Sequence, residues 1–390
     1  MTFYTQHPVL YVSDCLNPEK GGSGVVNQLL IRHAGFSAVI AVTSGKKMIG
    51  EHVHTAGFNY SFLPKQLLVY GHLVSVLLAR IKIATLIRKY KPAFIIAAYP
   101  QLTLFTAAVR EANRHGIPYF AYLHDTVEEA LSRGSLNKQA AETQKLVFRT
   151  AAGIFVISNG MQELYTRKYG LETTVVRHIY PEEVFPVAES GNGRAFWSGA
   201  VYGINHRALA RMTHACAHEG LSATFTGNTS ENDLRLFGFP TDSIHRHYYS
   251  QRTDYLSAVA QHSLLLLCLN WPDESTVHPD EMATIFPTKT PEYLASGVPI
   301  VVHCPGDYFL AAFFREHACG LVISARDENE ITAQLTAFLA NKPLQMEMVA
   351  HARALKYLFE PELNAGNLKN TINSALQSSS SHRENSLDSQ

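Results

Sequence analysis

The sequence predicts an α/β chain made of two Rossmann-like halves. Three observations lead there. Short apolar, β-branched runs alternate with helix-period segments along the chain, as in sheets covered by helices. The first half opens as strand, glycines and helix: Val9 to Ser13, then Gly21-Gly-Ser-Gly24, then a helical pattern from Val25 to His33. The second half opens with a strand from Ala195 to Ser198, then Gly199, a loop, and a helix from about Asn205.

The remaining elements of the first half follow in order. Ser37 to Thr43 reads as a strand, and Lys65 to Tyr90 as a mostly helical segment with Leu67, Leu68, Leu73, Val76, Leu77, Ile81, Ala84 and Ile87 as apolar positions. That helix also carries Arg80, Lys82, Arg88 and Lys89, so it is either a sheet-covering helix with a solvated basic face or a surface that docks on anionic lipid. Phe94 to Ala98 is a strand, and Leu102 to His115 a helix closed by Gly116. Tyr119 to Leu123 is a strand that delivers His124 and Asp125 at its carboxyl end, where ligands of open α/β sheets lie. The pair is a candidate sugar or acceptor contact with Asp125 as orienter or base, or else a structural pair capping the next helix. Gln139 to Ala151 is helical, Gly153 to Ser158 a strand and Gly160 to Tyr169 a helix. Glu182 to Gly193 lacks pattern and contains Pro, Ser and Gly, which marks an interdomain linker.

In the second half, strands are expected at Ser222 to Thr226 and Ser263 to Asn270, with a helix from about Thr253 after Arg246 to Ser250. His245 and His247 alternate in a strand-like run without a nearby acid or cysteine, which argues against a metal. Trp271 to Ile285 reads as a polar loop. The stretch Phe286 to Val302 then forms loop, short helix and buried strand. Thr288 or Thr290 is expected to cap the helix, Pro291 is tolerated in its first turn, and Gly297 and Pro299 stop it. A helix N-terminus suits a phosphate, and Lys289 adds a full positive charge there. Glu292, three residues on, can accept from vicinal hydroxyls such as those of a ribose. A cation for phosphate beside an acid for a sugar is the chemistry of a nucleotide-sugar pocket. Helices at Asp307 to His317, Glu328 to Ala340 and Lys342 to Phe359, with a strand at Gly320 to Ser324, complete this half.

The same stretch resembles the donor-binding segment of GT-B glycosyltransferases, above all of glycosyltransferase family 4. In that family a proline, a small hydroxyl residue and a lysine precede a glutamate-aromatic-leucine-alanine run and a glycine. Here these are Pro287-Thr-Lys289, then Glu292-Tyr-Leu-Ala295 and Gly297. The family's earlier glutamate, eight positions upstream of the second, is Thr284 here, and the nearest acid is Glu281. Residues 119–125, 151–170 and 195–207 support the resemblance by order and spacing. It implies the GT-B fold: two Rossmann-like domains facing across a cleft, with the last helix crossing back to the first domain. The expected bounds are 1–185 for the acceptor-side domain, 186–360 for the donor-side domain and 361–377 for the returning helix. The Ser-rich tail, 378–390, is expected to be disordered.

By this resemblance the chain is a glycosyltransferase, an enzyme moving a sugar from a UDP- or GDP-sugar to a hydroxyl acceptor, with retention and without a metal. Its nucleotide sugar is a co-substrate, and no cofactor is implied. The resemblance assigns donor binding to Gly22, Gly24, Gly199, Arg207, Thr288, Lys289 and Glu292. It assigns catalysis to His124, Arg207 and Lys289, and the acceptor side to His124 and Asp125. The acceptor is expected to be a glycan or lipid-linked glycan in bacterial capsule, O-antigen (lipopolysaccharide) or exopolysaccharide assembly, with peripheral contact to the inner membrane surface. Two other readings stand beside it. One is a nucleotide-sugar 2-epimerase on the same scaffold, which needs additional acid–base carboxylates. The other is a non-catalytic nucleotide- or glycan-binding subunit, which Thr284 in place of a glutamate favours.

Composition sets bounds on these readings. The 33 basic and 33 acidic residues balance, so no global field points to nucleic acid. Hydrophobic content of 46% in 390 residues is ample for two cores. The five cysteines are scattered without a CxxC pair, and the first residues lack the basic and apolar regions of a signal peptide. Both point to a cytoplasmic protein with reduced thiols.

Overall fold

The computed structural model of the chain describes residues 8–13, 16, 22–36, 38–43, 53–57, 68–130, 135–180 and 191–387. It divides into two compact units, Met1–Ile179 with Glu360–Gln390, and Tyr180–Phe359. The first crossing therefore falls at 179–180 rather than at 185–186, which lies outside the described residues. The backbone N–H of Tyr180 donates to the carbonyl of Phe359 (2.8 Å), which ties the two ends of the second unit together.

The first unit runs β1 (Val9–Val12), α1 (Gly22–Ala34), β2 (Val39–Thr43), β3 (Val53–Gly57), α2 (Leu68–Tyr90), β4 (Ile95–Tyr99), α3 (Leu102–His115), β5 (Tyr119–Leu123), α4 (Ser135–Thr150), β6 (Gly153–Val156), α5 (Asn159–Tyr169) and β7 (Thr174–Val175). Among the described residues its seven strands are all parallel, in the order β3-β2-β1-β4-β5-β6-β7. Every residue of β1, β2, β4 and β5 is buried, as expected of strands covered by helices on both faces. Strand order reverses between β1 and β4, the switch point outside whose carboxyl ends such folds bind ligands. α1 begins at Gly22 instead of Val25, so Gly22 and Gly24 belong to its first turn rather than to a loop.

The second unit runs β8 (Arg194–Ser198), α6 (His206–His218), β9 (Ser222–Thr226), α7 (Glu231–Leu236), β10 (Ile244–Arg246), α8 (Arg252–Gln261), β11 (Leu264–Cys268), α9 (Pro279–Thr284), α10 (Thr290–Ser296), β12 (Ile300–His303), α11 (Phe309–Glu316), β13 (Leu321–Ile323), α12 (Glu328–Ala340) and α13 (Lys342–Ala354). Its six strands among the described residues are also parallel, in the order β10-β9-β8-β11-β12-β13, and reverse between β8 and β11. The five consecutive apolar residues of β11 are all buried, and they hold the centre of the sheet.

A last helix, α14 (Pro361–Leu387), returns to the first unit. Ala365, Leu368, Ile372 and Leu376 enter that unit's core, and Asn364 Oδ1 accepts from the Arg177 N–H (2.7 Å). Helix runs on to Leu387, where the Ser-rich composition from Ser378 reads as disorder. Cys216, Cys268, Cys304 and Cys319 are buried and unpaired, and Cys15 lies outside the described residues. Among the described residues no helix is long and apolar enough to cross a membrane.

Candidate functional site

The polar cluster of the second unit gathers at the carboxyl ends of its two switch-point strands. β8 ends in Ser198, and the next residue, Gly199, adopts φ +108°, a conformation that side chains rarely take. From there Ser198 presents its N–H, hydroxyl and carbonyl to α8 and α10. The N–H donates to Tyr293 Oη (3.1 Å), and the hydroxyl lies 3.2 Å from Tyr255 Oη. The carbonyl accepts from Lys289 Nζ, which also stands 3.1 Å from the centroid of the Trp197 ring, a cation–π contact. Desolvation in this setting pulls the Lys289 ammonium down to about 7.

Glu292, in the first turn of α10, is held from α8. Arg252 Nη2 donates to its Oε1 at 2.5 Å, and Tyr255 Oη donates to its Oε2 at 2.9 Å. The carboxylate is 14% exposed and the guanidinium 30%, so this pair sits between a surface ion pair and a sealed one. Burial and the neighbouring Glu292 carboxylate hold the Tyr255 phenol well above the ordinary tyrosine range, so it stays a donor.

Two expectations about helix ends change. The N-cap of α10 is Lys289, without a side-chain cap bond, and the Thr290 hydroxyl is buried with no partner among the described residues. The Thr290 N–H goes to the Pro287 carbonyl, Pro291 has none, and that of Tyr293 goes to the Lys289 carbonyl. The helix mouth thus offers fewer open donors than the sequence suggests. At α6, Asn270 reaches over from the end of β11, and its Oδ1 accepts from the N–H groups of Arg207 and Ala208 (3.0 Å each).

Arg207 itself is exposed, and among the described residues its side chain joins neither Lys289 nor Glu292. The guanidinium in the cluster is that of Arg252. One turn along α6, Arg211 makes two bonds to Glu274 (2.7 and 3.0 Å) and lies over Trp271. That arrangement folds the segment after β11 against the sheet. Thr284, at the position of the family's earlier glutamate, turns its hydroxyl back to the carbonyls of Asp280 and Glu281.

The first unit's candidates sit in a different setting. His124 is 4% exposed, with Nε2 3.2 Å from Asn27 Oδ1 and Nδ1 3.2 Å from His178 Nε2. Tyr11 Oη donates to the same Asn27 oxygen (2.5 Å). Because that oxygen only accepts, His124 carries its proton on Nε2, and His178 must donate through its own Nε2. His178 Nδ1 is then a buried acceptor with no partner among the described residues. Burial holds both imidazoles neutral, His178 down at about 4 and His124 well below 6.5. His124, expected to face a sugar or acceptor, thus has both ring nitrogens engaged within its own unit. Asp125 beside it is half-buried, and burial pushes its carboxyl up to about 6. Gly24 is buried in α1, and the side-chain surroundings of Gly22 lie outside the description.

Ser198, Arg252, Tyr255 and Tyr293 were not among the sequence candidates. One signal was available for Arg252. A cation at the first residue of a helix opposes the helix dipole by roughly 0.3–1 kcal/mol, so it is placed there for another partner.

Residues 30–181 match the family described as Glycosyl transferase 4-like domain. No curated protein matches the chain in sequence. Among solved structures it is similar to Anabaena HepE in complex with UDP-glucose, at 14% identity and TM-score 0.69, over 94% of this chain and 99% of that one. A glycosyltransferase from Rickettsia africae gives 12% identity and TM-score 0.65, over 96% and 99%. WaaG, a glycosyltransferase involved in lipopolysaccharide biosynthesis, gives 12% and 0.64, over 93% and 99%. At these identities the likeness concerns the fold, which is GT-B.

Proposed function

We propose that this chain, a glycosyltransferase of the GT-B fold and family 4 type, takes a nucleotide-sugar donor whose nucleotide rests on Glu292 and Lys289. The observation that carries this reading is the convergence of Lys289, Glu292 and Ser198 at the carboxyl ends of the second sheet's switch-point strands. Glu292 accepts the ribose hydroxyls, and Lys289 leaves the Ser198 carbonyl for the diphosphate. As the bond from sugar to diphosphate breaks, negative charge develops on the leaving group, and the ammonium stabilises it. This positive charge supports transfer without a metal, and we propose retention at the anomeric carbon.

The acceptor we propose is a glycan or lipid-linked glycan of bacterial surface polysaccharide assembly, met at the membrane. Two observations support this. WaaG is a glycosyltransferase of lipopolysaccharide biosynthesis. In α2, Leu73, Val74, Leu77 and Ile81 are exposed near Lys82, Arg88 and Lys89, a combination suited to anionic lipid. Arg80 is not part of that face, since it pairs with the buried Glu111 (2.6 Å).

The test is incubation with a panel of UDP- and GDP-sugars, with and without membrane glycolipid extracts. Slow sugar release and faster transfer support the reading. Nucleotide binding without turnover in any mixture points instead to a binding subunit. Epimerised nucleotide sugar points to the 2-epimerase.

A further inference from the structure

Glu292 makes two hydrogen bonds, one through each oxygen. A carboxylate has about four lone-pair positions, so one remains on each oxygen. Two vicinal hydroxyls need that number. The bonds from Arg252 and Tyr255 also fix the carboxylate plane from two points on one helix, three residues apart. Arg252 in turn lies 5.4 Å from the centroid of the Tyr255 ring. Tyr255 is anchored by Ser198 and packs on Phe196, at 6.0 Å between ring centroids. The holder is therefore built from the sheet outward, and Arg252 accepts an unfavourable place at a helix start to complete it.

From this we infer that Arg252 and Tyr255 are positioning residues that aim Glu292 at the ribose and so set the selectivity for ribo- over deoxyribonucleotides. The inference rests on the nucleotide reading of Glu292 above. Neither residue touches the transferred sugar in this scheme. Without Arg252 the carboxylate loses its fixed plane, and its bonds to two hydroxyls weaken together.

The experiment compares binding of UDP, GDP, ADP and CDP with that of their 2′-deoxy counterparts, by calorimetry, on the full chain. The best ribonucleotide is expected to bind wild type roughly tenfold to a hundredfold more tightly than its deoxy form, the worth of one hydrogen bond to a charged group. Arg252→Gln is expected to bring that ratio within about twofold by weakening the ribonucleotide, with two hydroxyls on Glu292, more than the deoxy form, with one; Arg252→Lys is expected to restore part of it. Tyr255→Phe, which keeps the ring packing, lowers the ratio less. A ratio unchanged in Arg252→Gln and Tyr255→Phe overturns the inference, whether or not overall affinity falls. If Glu292→Ala removes the ratio while Arg252→Gln keeps it, only the positioning role is lost. If wild type binds none of the four nucleotides, the transferase reading goes as well.

Discussion

The two units place polar side chains at the carboxyl ends of their sheets, yet treat them in opposite ways. In the second unit, Glu292 and Arg252 meet while 14% and 30% exposed, and Lys289 is docked on a carbonyl and a ring it can leave. In the first, His124 is sealed, with each ring nitrogen bonded to a buried neighbour. Both lie where α/β sheets put ligands. The difference teaches that position at a strand end is permissive, whereas spare bonding capacity and access decide whether a residue meets a ligand. Glu292 keeps one acceptor position on each oxygen; His124 keeps none.

The largest effect expected from this contrast is on nucleotide binding. Lys289→Ala and Glu292→Ala should each abolish the rise in melting temperature that a bound nucleoside diphosphate gives, read by thermal shift. Arrival of the same loss in His124→Asn, with the two second-unit variants unaffected, would invert the comparison. Next comes stability. His124→Ala removes the acceptor of the buried His178 Nε2–H, and should cost about 1–3 kcal/mol by urea unfolding while nucleotide affinity per folded molecule holds.

A smaller pair of effects follows from pH. In the proposed site Lys289 binds the diphosphate in its charged form, and in the free protein its ammonium loses its proton near pH 7. Above that pH, binding takes up a proton, so nucleotide-sugar affinity should fall by up to about tenfold per pH unit between pH 7.5 and 9. Lys289→Arg should bind without this slope. For the histidines the sign is the reverse. Their folded values lie below that of the unfolded chain, so acid protonates the unfolded state first and stability drops from about pH 6.5 downward. His178, titrating at about 4 when folded, contributes a slope approaching about 1.4 kcal/mol per pH unit across that window. His178→Gln should flatten it, as melting curves between pH 7 and 5 would record.

The smallest expected effect belongs to Arg207→Ala. An exposed arginine that engages only through its backbone among the described residues should alter nucleotide affinity by about twofold at most in calorimetry. A tenfold loss would return it to the site.

Much of the fold was legible because its strands are buried on both faces and therefore read as unbroken apolar runs, as in Leu264 to Cys268 and Ile300 to Val302. The elements that escaped lack that signal. β7 has two residues, and β3 reads Val-His-Thr-Ala-Gly. The Ser-rich end of α14 has the composition of a loose tail, and composition carries no information on the helix it continues. In the site, Lys289 and Glu292 were legible because they stand three positions apart in one short segment that carries the pattern. Ser198, Arg252 and Tyr255 come from strands and helices 37 to 94 residues away, brought together by the order of strands in the sheet, which local periodicity does not encode.

The most direct test of the account is a crystal structure with the best-binding nucleoside diphosphate. The account predicts both ribose hydroxyls on the Glu292 carboxylate, with Arg252 and Tyr255 still holding it, and the Lys289 ammonium moved from the Ser198 carbonyl to a phosphate oxygen. A nucleotide bound elsewhere, with Lys289 still on Ser198 and Glu292 untouched, would contradict it.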